Sequence, residues 1–340
     1  MAMSCSKSVL DFGSKKIKLK IKSVDTKGTV ITTGNFTSQC PDGFMMDVWL
    51  DEEAYDHTTG DNVGVHYVDD YHVAWTGSAF QTNFYWTNGI NTRFWMWAPV
   101  DVPTRTLDNA DQYRKAVLAF SYEQPSSGTT SDADAQKDLL FSYIETSREF
   151  YENGSIKGGK TDAIDIVFHH ALSEVGFAYH STDGTFSGGL NINWIKVRGV
   201  KGNGTCIYDG SDDSFTWTPG GSTFVFGQTY KIDHDHPEDV STIPDLVSNP
   251  DPLKSMHMNN PFFMIPQTLG SDAIIEAEFR RSDGTTLICQ TPIPNEQWVA
   301  GKYYSYKIIA KTLQEDVEFS VSVTEWQNGG SAELTPRADS

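Results

Sequence analysis

The chain is poor in cysteine, poor in basic residues relative to acidic ones, and without a long apolar run. Its four cysteines among 340 residues are Cys5, Cys40, Cys206 and Cys289. They lie far apart, and with Cys5 set aside their number is odd, which argues against a disulfide framework; no CxxC pair offers half of a zinc site. Cys206 and Cys289 fall in strand-like runs, where a free thiol acts as a small hydrophobe. Lysine and arginine total 26 against 45 acidic residues, a formal net charge of −19. A surface of that sign repels phosphate backbones, so nucleic acid and simple electrostatic docking on anionic lipid are disfavoured as partners. No stretch approaches the roughly 20 consecutive apolar residues of a membrane-spanning helix.

Catalytic signatures are missing too. The sequence has no glycine-flanked serine elbow, no His-Glu-x-x-His motif and no phosphate-cradling loop. Carboxylates are plentiful, but abundance is not a glycosidase pair at a defined separation. The expectation is a non-enzyme with no cofactor, no catalytic residue and no metal ligand. The densest donor cluster, Asp233-His234-Asp235-His236-Pro237-Glu238-Asp239, has consecutive side chains pointing in divergent directions and a proline that bars a helix, so it reads as a solvated loop. Asp209-Gly210-Ser211-Asp212-Asp213 lacks the spacing and terminal glutamate of a calcium loop. His169 and His170, adjacent on a strand, face opposite ways and read as core or boundary residues.

What is present is the writing of a packed β protein. Hydrophobic residues make up 38% and aromatics 12%, enough for two cores at this length. The stretch Phe168–Asp209 sets the pattern. Val175, Phe177 and Tyr179 sit two apart, a Ser/Thr/Asp/Gly loop follows, and Leu190, Ile192, Trp194 and Val197 read as the partner strand. Gly199, Gly202 and Gly204 then suggest a second return before Cys206–Tyr208, completing a meander with no room for a crossover helix.

Upstream, residues 15–24 alternate cleanly, with Ile17, Leu19 and Ile21 on one face and Lys16, Lys18, Lys20 and Lys22 on the other. This reads as an edge-lying first strand whose lysines discourage aggregation. Further strands are expected at 44–50, 71–75, 80–86 and 93–98, with Trp86 and Trp95 packing the core. A turn cluster is expected at 56–62. Residues 111–120 fit a short helix or an irregular excursion, and residues 139–143 close the first half. In the second half, strands are expected at 215–217, 224–226, 262–265, 273–279, 286–290 and 303–310. A last one carries Val317, Phe319, Val321 and Val323 in alternation. The Gly- and Lys-rich stretch 153–161 is the best linker, giving a first domain over residues 1–160 and a second over 161–340. The fold class is all-β, two antiparallel β-sandwiches in tandem.

Four blocks in order, Asp138-Leu139-Leu140, the run from Phe168, residues 263–269 and residues 298–306, resemble the fimbrillin family, the pilin-like subunits of type V pili of Bacteroides-type bacteria. The resemblance spans roughly residues 138–326 and implies transthyretin-like, Greek-key domains. It also implies export as a lipoprotein to an outer-membrane-attached fimbrium, with Cys5 of Ala2-Met3-Ser4-Cys5 as the acylated residue and the lipid as the only membrane attachment. A protease would then remove the first strand, Ile17, Leu19 and Ile21 with it. Family cleavage usually follows arginine, whereas the matching position here is Lys27. The opened groove would accept a neighbour's strand, with Val317, Phe319, Val321 and Val323 as the donor residues. The implied partners are other subunits, the processing protease and a host glycan or protein receptor. A competing reading from the nine tryptophans is a carbohydrate-binding surface lipoprotein, with Trp49 and Trp75 as exposed platforms.

Overall fold

The computed structural model describes residues 12–24, 36–55, 62–87, 92–101, 104–105, 116–125, 136–146, 163–181, 191–229, 262–280, 284–293, 297–310 and 317–325. In chain order the strands are β1 (Phe12–Val24), β2 (Phe44–Tyr55), β3 (Asn62–Val73), β4 (Phe80–Thr87), β5 (Thr92–Ala98), β6 (Thr104–Arg105), β7 (Val117–Glu123), β8 (Leu140–Thr146), β9 (Ala163–His170) and β10 (Ser173–Ser181). They continue with β11 (Asn191–Asp209), β12 (Ser214–Thr229), β13 (Phe262–Met264), β14 (Gln267–Thr268), β15 (Ile274–Arg280), β16 (Thr286–Pro292), β17 (Gln297–Trp298), β18 (Lys302–Ala310) and β19 (Val317–Glu325). A single turn of helix, α1 (Phe36–Gln39), precedes β2. The chain is all-β.

A seven-stranded sheet runs β3-β2-β5-β8-β9-β1-β4. It folds over on itself, because alternate residues of β1, β4 and β9 share one core with those of β2, β3 and β5. Its centre is aromatic. Phe36 of α1 stacks on Phe168 at 5.2 Å, and Phe44 lies 5.2 Å from Phe80 and 5.6 Å from Phe168. A second core lies between the sheet β13-β10-β18-β19 and the β11, β12 and β15 part of a six-stranded sheet.

β11 and β12 form a long hairpin. One half of β11 pairs with β15 (Asn191↔Arg280 to Arg198↔Ile274), and the other with β7 (Asn203↔Glu123 to Asp209↔Val117). The β7 half covers the outer face of the seven-stranded sheet and makes a third core: Phe120 stacks on Phe141 at 4.4 Å, and Trp217 Nε1 donates to the Ala171 carbonyl at 2.8 Å. Trp95, fully buried, packs there.

Several expectations are corrected. Gly199, Gly202 and Gly204 do not turn the chain: β11 runs straight through them, with register shifts opposite β12. Gly199 has φ +74°, and a Cβ there would meet the Asp272 carbonyl oxygen at 2.0 Å, while a Cβ on Gly202 would meet the Phe224 ring at 2.7 Å. These glycines permit bulges and close approach. The hairpin turn comes later, at Gly210–Asp213, where Asp209 and Asp212 carboxylates accept from the backbone of Ser211 and Ser214. Nor is β11 the partner of β10. The latter pairs with β13 and, in parallel, with β18; β1 and β9 are parallel too. Of the expected 56–62 turn cluster, residues 56–61 lie outside the described residues and Asn62 opens β3, which starts well before the expected strand at 71–75; residues 117–120 are strand and not helix.

The first strand is not at an edge: β1 has β9 on one side and β4 on the other, and β4 is the edge. β9, which begins just after the expected linker, is hydrogen-bonded to β1 and β8, and β7 pairs with β11. Cys206 and Cys40 are buried thiols, and Cys289 is half-buried.

Candidate functional site: the first and last strands

The alternation of residues 17–22 is realised directly. Ile17 and Leu19 are buried, Ile21 is half-buried against the same core, and Lys18, Lys20 and Lys22 are exposed. Burying two such aliphatic side chains stabilises by about 1.5–3 kcal/mol each. On one flank the register with β4 is Lys16↔Tyr85 and Leu19↔Phe80, antiparallel. On the other, Lys18↔Ala163 to Val24↔Phe168 run parallel to β9. The buried Thr82 hydroxyl donates to the Ile17 carbonyl at 2.6 Å, a further tie between β4 and β1. Lys22 and Asp165 stand 3.9 Å apart with both side chains well exposed, a pair worth little.

β1 therefore fills a slot. Without it, β4 and β9 would face each other across one strand's width, about 9–10 Å, each with an unsatisfied ladder. The slot floor is the aromatic centre of Phe36, Phe44, Phe80 and Phe168. A replacement strand must bring an apolar side chain at every second position and run antiparallel to β4 and parallel to β9.

The last strand is placed differently. Among the described residues β19 lies at the end of its sheet and pairs with β18, Lys302↔Glu325 to Ala310↔Val317, with no register shift. Val317, Phe319, Val321 and Val323 sit opposite Ala310, Ile308, Tyr306 and Tyr304. The structure does not bring them near β1. Cys5 and Lys27 lie outside the described residues, as do the Asp233–Asp239 run and the side chain of Trp86.

The junction between the first and second sheets holds ionisable side chains deep in the interior. His170 Nδ1 and Asp138 Oδ2 are 2.7 Å apart and both side chains are buried. Glu174, at the start of β10, is also buried, and burial followed by the Asp138 charge pushes its carboxyl well above the usual range. His169 faces the other way, 3.4 Å from Asp213. Burial raises the Cys40 thiol to about 12, so it is not a nucleophile.

Neither Trp49 nor Trp75 is an exposed platform. Trp49 is half-buried and its ring stacks on His66 at 4.4 Å; Trp75 is half-buried against Phe80 at 4.8 Å. Among the described residues the exposed large hydrophobics are Tyr85, Ile207, Ile288 and Val299, none of them tryptophan. Packing in the folded sheet, invisible to a reading of flanking polar residues, decides this. A donor cluster that the sequence reading missed does converge, at Asp47, His66 and Asp69. It joins two strands and has no linear spacing by which it could have been found.

Comparison with known proteins supplies the rest. The profile of the fimbrillin-like family matches residues 42–326. No curated protein matches. Among solved structures, a fimbrial protein of Bacteroides vulgatus is similar at a TM-score of 0.54 and 12% identity, covering 92% of this chain and 99% of its own. A proposed cell-adhesion protein of Bacteroides ovatus is similar at 0.50 and 12%, covering 93% and 99%. At such identities the likeness is one of fold. The profile match takes in most of the chain, from the turn before β2 to the residue after β19, and on that ground the chain belongs to the fimbrillin-like family, a family of fimbrial structural subunits and not of enzymes.

Proposed function

We propose that the chain is a fimbrial subunit that polymerises by strand exchange once proteolysis after Lys27 has removed β1, and that it supports adhesion at the cell surface after export as a lipoprotein acylated on Cys5. The observation that carries this reading is the placement of β1 between β4 and β9, with Ile17 and Leu19 in the core. Strand addition uses what its loss would leave: unpaired backbone groups on two flanks and an apolar slot. A neighbour's strand bearing Val317, Phe319, Val321 and Val323 meets the alternation requirement. Donation of β19 would separate it from β18, exchanging one flank of pairing for two. Such a contact is heterologous and builds an open filament. The tandem-sandwich description, with transthyretin-like domains, belongs to this reading as well; it is supported by two cores each enclosed by sheets.

The test is limited trypsin digestion of the purified chain, followed by mass spectrometry and by sizing at rising concentration. Cleavage after Lys27 with loss of the leading peptide and growth of ladders or filaments is expected. Loss of the peptide with a chain that stays monomeric at every concentration would contradict the proposal.

A further inference from the structure

Asp47 is a carboxylate with no exposed surface, on the outer face of β2. Its neighbours Met46 and Val48 point into the aromatic core, so the strand's alternation turns Asp47 towards the opposite side, where Trp49 and Met45 pack against the third core. One of its oxygens, Oδ1, accepts from the backbone N–H of Asp70 at 2.8 Å. Asp70 has φ +45°, a left-handed conformation within the bulged part of the β2–β3 ladder. The bulge therefore both breaks the register and fixes the Asp47 carboxylate.

The other oxygen, Oδ2, faces His66 Nε2 at 3.8 Å, and the same nitrogen stands 3.6 Å from Asp69 Oδ1. All three donor atoms lie within 4.8 Å of one another. The two distances to the His66 nitrogen are too long for hydrogen bonds. They are close to the spacing of two ligands on one tetrahedral cation, about 3.3–3.6 Å for bonds of 2.0–2.2 Å. The imidazole is held in place by stacking on Trp49, 4.4 Å between ring centres and 15° between planes. The three side chains grade from buried Asp47 through His66 at 27% to Asp69 at 65% exposed, so the cluster opens to solvent on one side.

Asp47 has no exposed surface, and Asp69 brings a second carboxylate to the same imidazole nitrogen. Buried carboxylates are stable when paired or when they coordinate a cation.

We infer that Asp47, His66 and Asp69 form a binding site for a divalent first-row transition metal of the zinc type, with water completing the coordination on the Asp69 side. An imidazole donor favours such an ion over calcium, which takes 6–8 oxygen ligands. The site clips the outer strand β3 to β2 across their bulge.

The test uses the full chain, dialysed against a chelator and titrated with zinc by calorimetry, with Tm measured in parallel. One zinc per chain and a rise in Tm are expected. Asp69→Asn, at an exposed position, should leave far-ultraviolet circular dichroism and metal-free Tm unchanged while weakening zinc at least tenfold; His66→Gln should abolish both the binding and the Tm rise. Substoichiometric binding, or zinc bound equally well by both variants, overturns the site, the latter result placing the ion elsewhere, for example on His234 and His236.

Discussion

β1 and β19 carry the same kind of sequence, an apolar residue at every second position, yet the fold uses them differently. β1 is bordered on both sides and sends Ile17 and Leu19 among Phe36, Phe44, Phe80 and Phe168. Among the described residues β19 is bordered on one side and is the last strand of its sheet. Period-2 alternation specifies a strand with one buried face but says nothing about how many neighbours it has. Loss of an end strand opens one edge, and loss of an inner strand opens two edges and a core.

The largest effect that sharpens this contrast is expected from Leu19→Asp. An unpaired carboxylate placed in the aromatic core should destabilise by about 3–5 kcal/mol, read by denaturant unfolding. Unfolding of the seven-stranded sheet without change in the variant would remove β1 from the core. Trimming residues 317–340 should cost less, on the order of 1–3 kcal/mol, because β18 keeps β10 as a neighbour. A loss equal to that of Leu19→Asp would break the comparison.

Next comes the sheet that holds β19. Glu174 on β10 is buried with its carboxyl pKa raised. A raised folded pKa means that the folded state keeps the proton: this group's contribution is intact below the ordinary carboxylate range, about 4.3, and is lost as pH rises towards the raised value. Glu174→Gln should therefore raise Tm at pH 7–8 by roughly 2–4 °C, and the gain should vanish near pH 4. The smallest effect is expected on the solvent face of β1, where Lys20→Ala should change stability by less than about 0.5 kcal/mol.

Much of this fold was legible where local periodicity decided it. β1, β5, β15, β18 and β19 fall close to the expected residues: β1 alternates against one core, β5 is a near-continuous apolar run buried on both faces, and β15, β18 and β19 carry period-2 apolar residues. Pairing was not legible. The parallel neighbours of β1 and β10 come from chain segments more than a hundred residues away, and no local signal carries that information. The glycines of β11 misled for a physical reason: glycine marks a turn and a close approach equally well, and the Asp272 carbonyl that requires Gly199 is remote in sequence. β3 was legible only at its end: the expected strand begins at residue 71, whereas β3 runs from Asn62 through the bulge at Asp69 and Asp70 to Val73. The Asp47–His66–Asp69 cluster depends on that bulge and on the β2–β3 pairing, which no linear spacing signals. β1 and β19 were legible as strands, but the slot that β1 fills emerged only from the order of the sheet.

The most direct measurement takes the chain cleaved after Lys27 and freed of its leading peptide, then adds synthetic peptides. One peptide has the sequence of residues 12–24, another that of residues 316–325, and a third carries Leu19→Asp in the first. If β1 fills a slot that an alternating strand can reoccupy, the first two bind and raise Tm towards that of the intact chain, and the third does neither. A trimmed chain that keeps the intact Tm and binds none of the peptides would contradict the account.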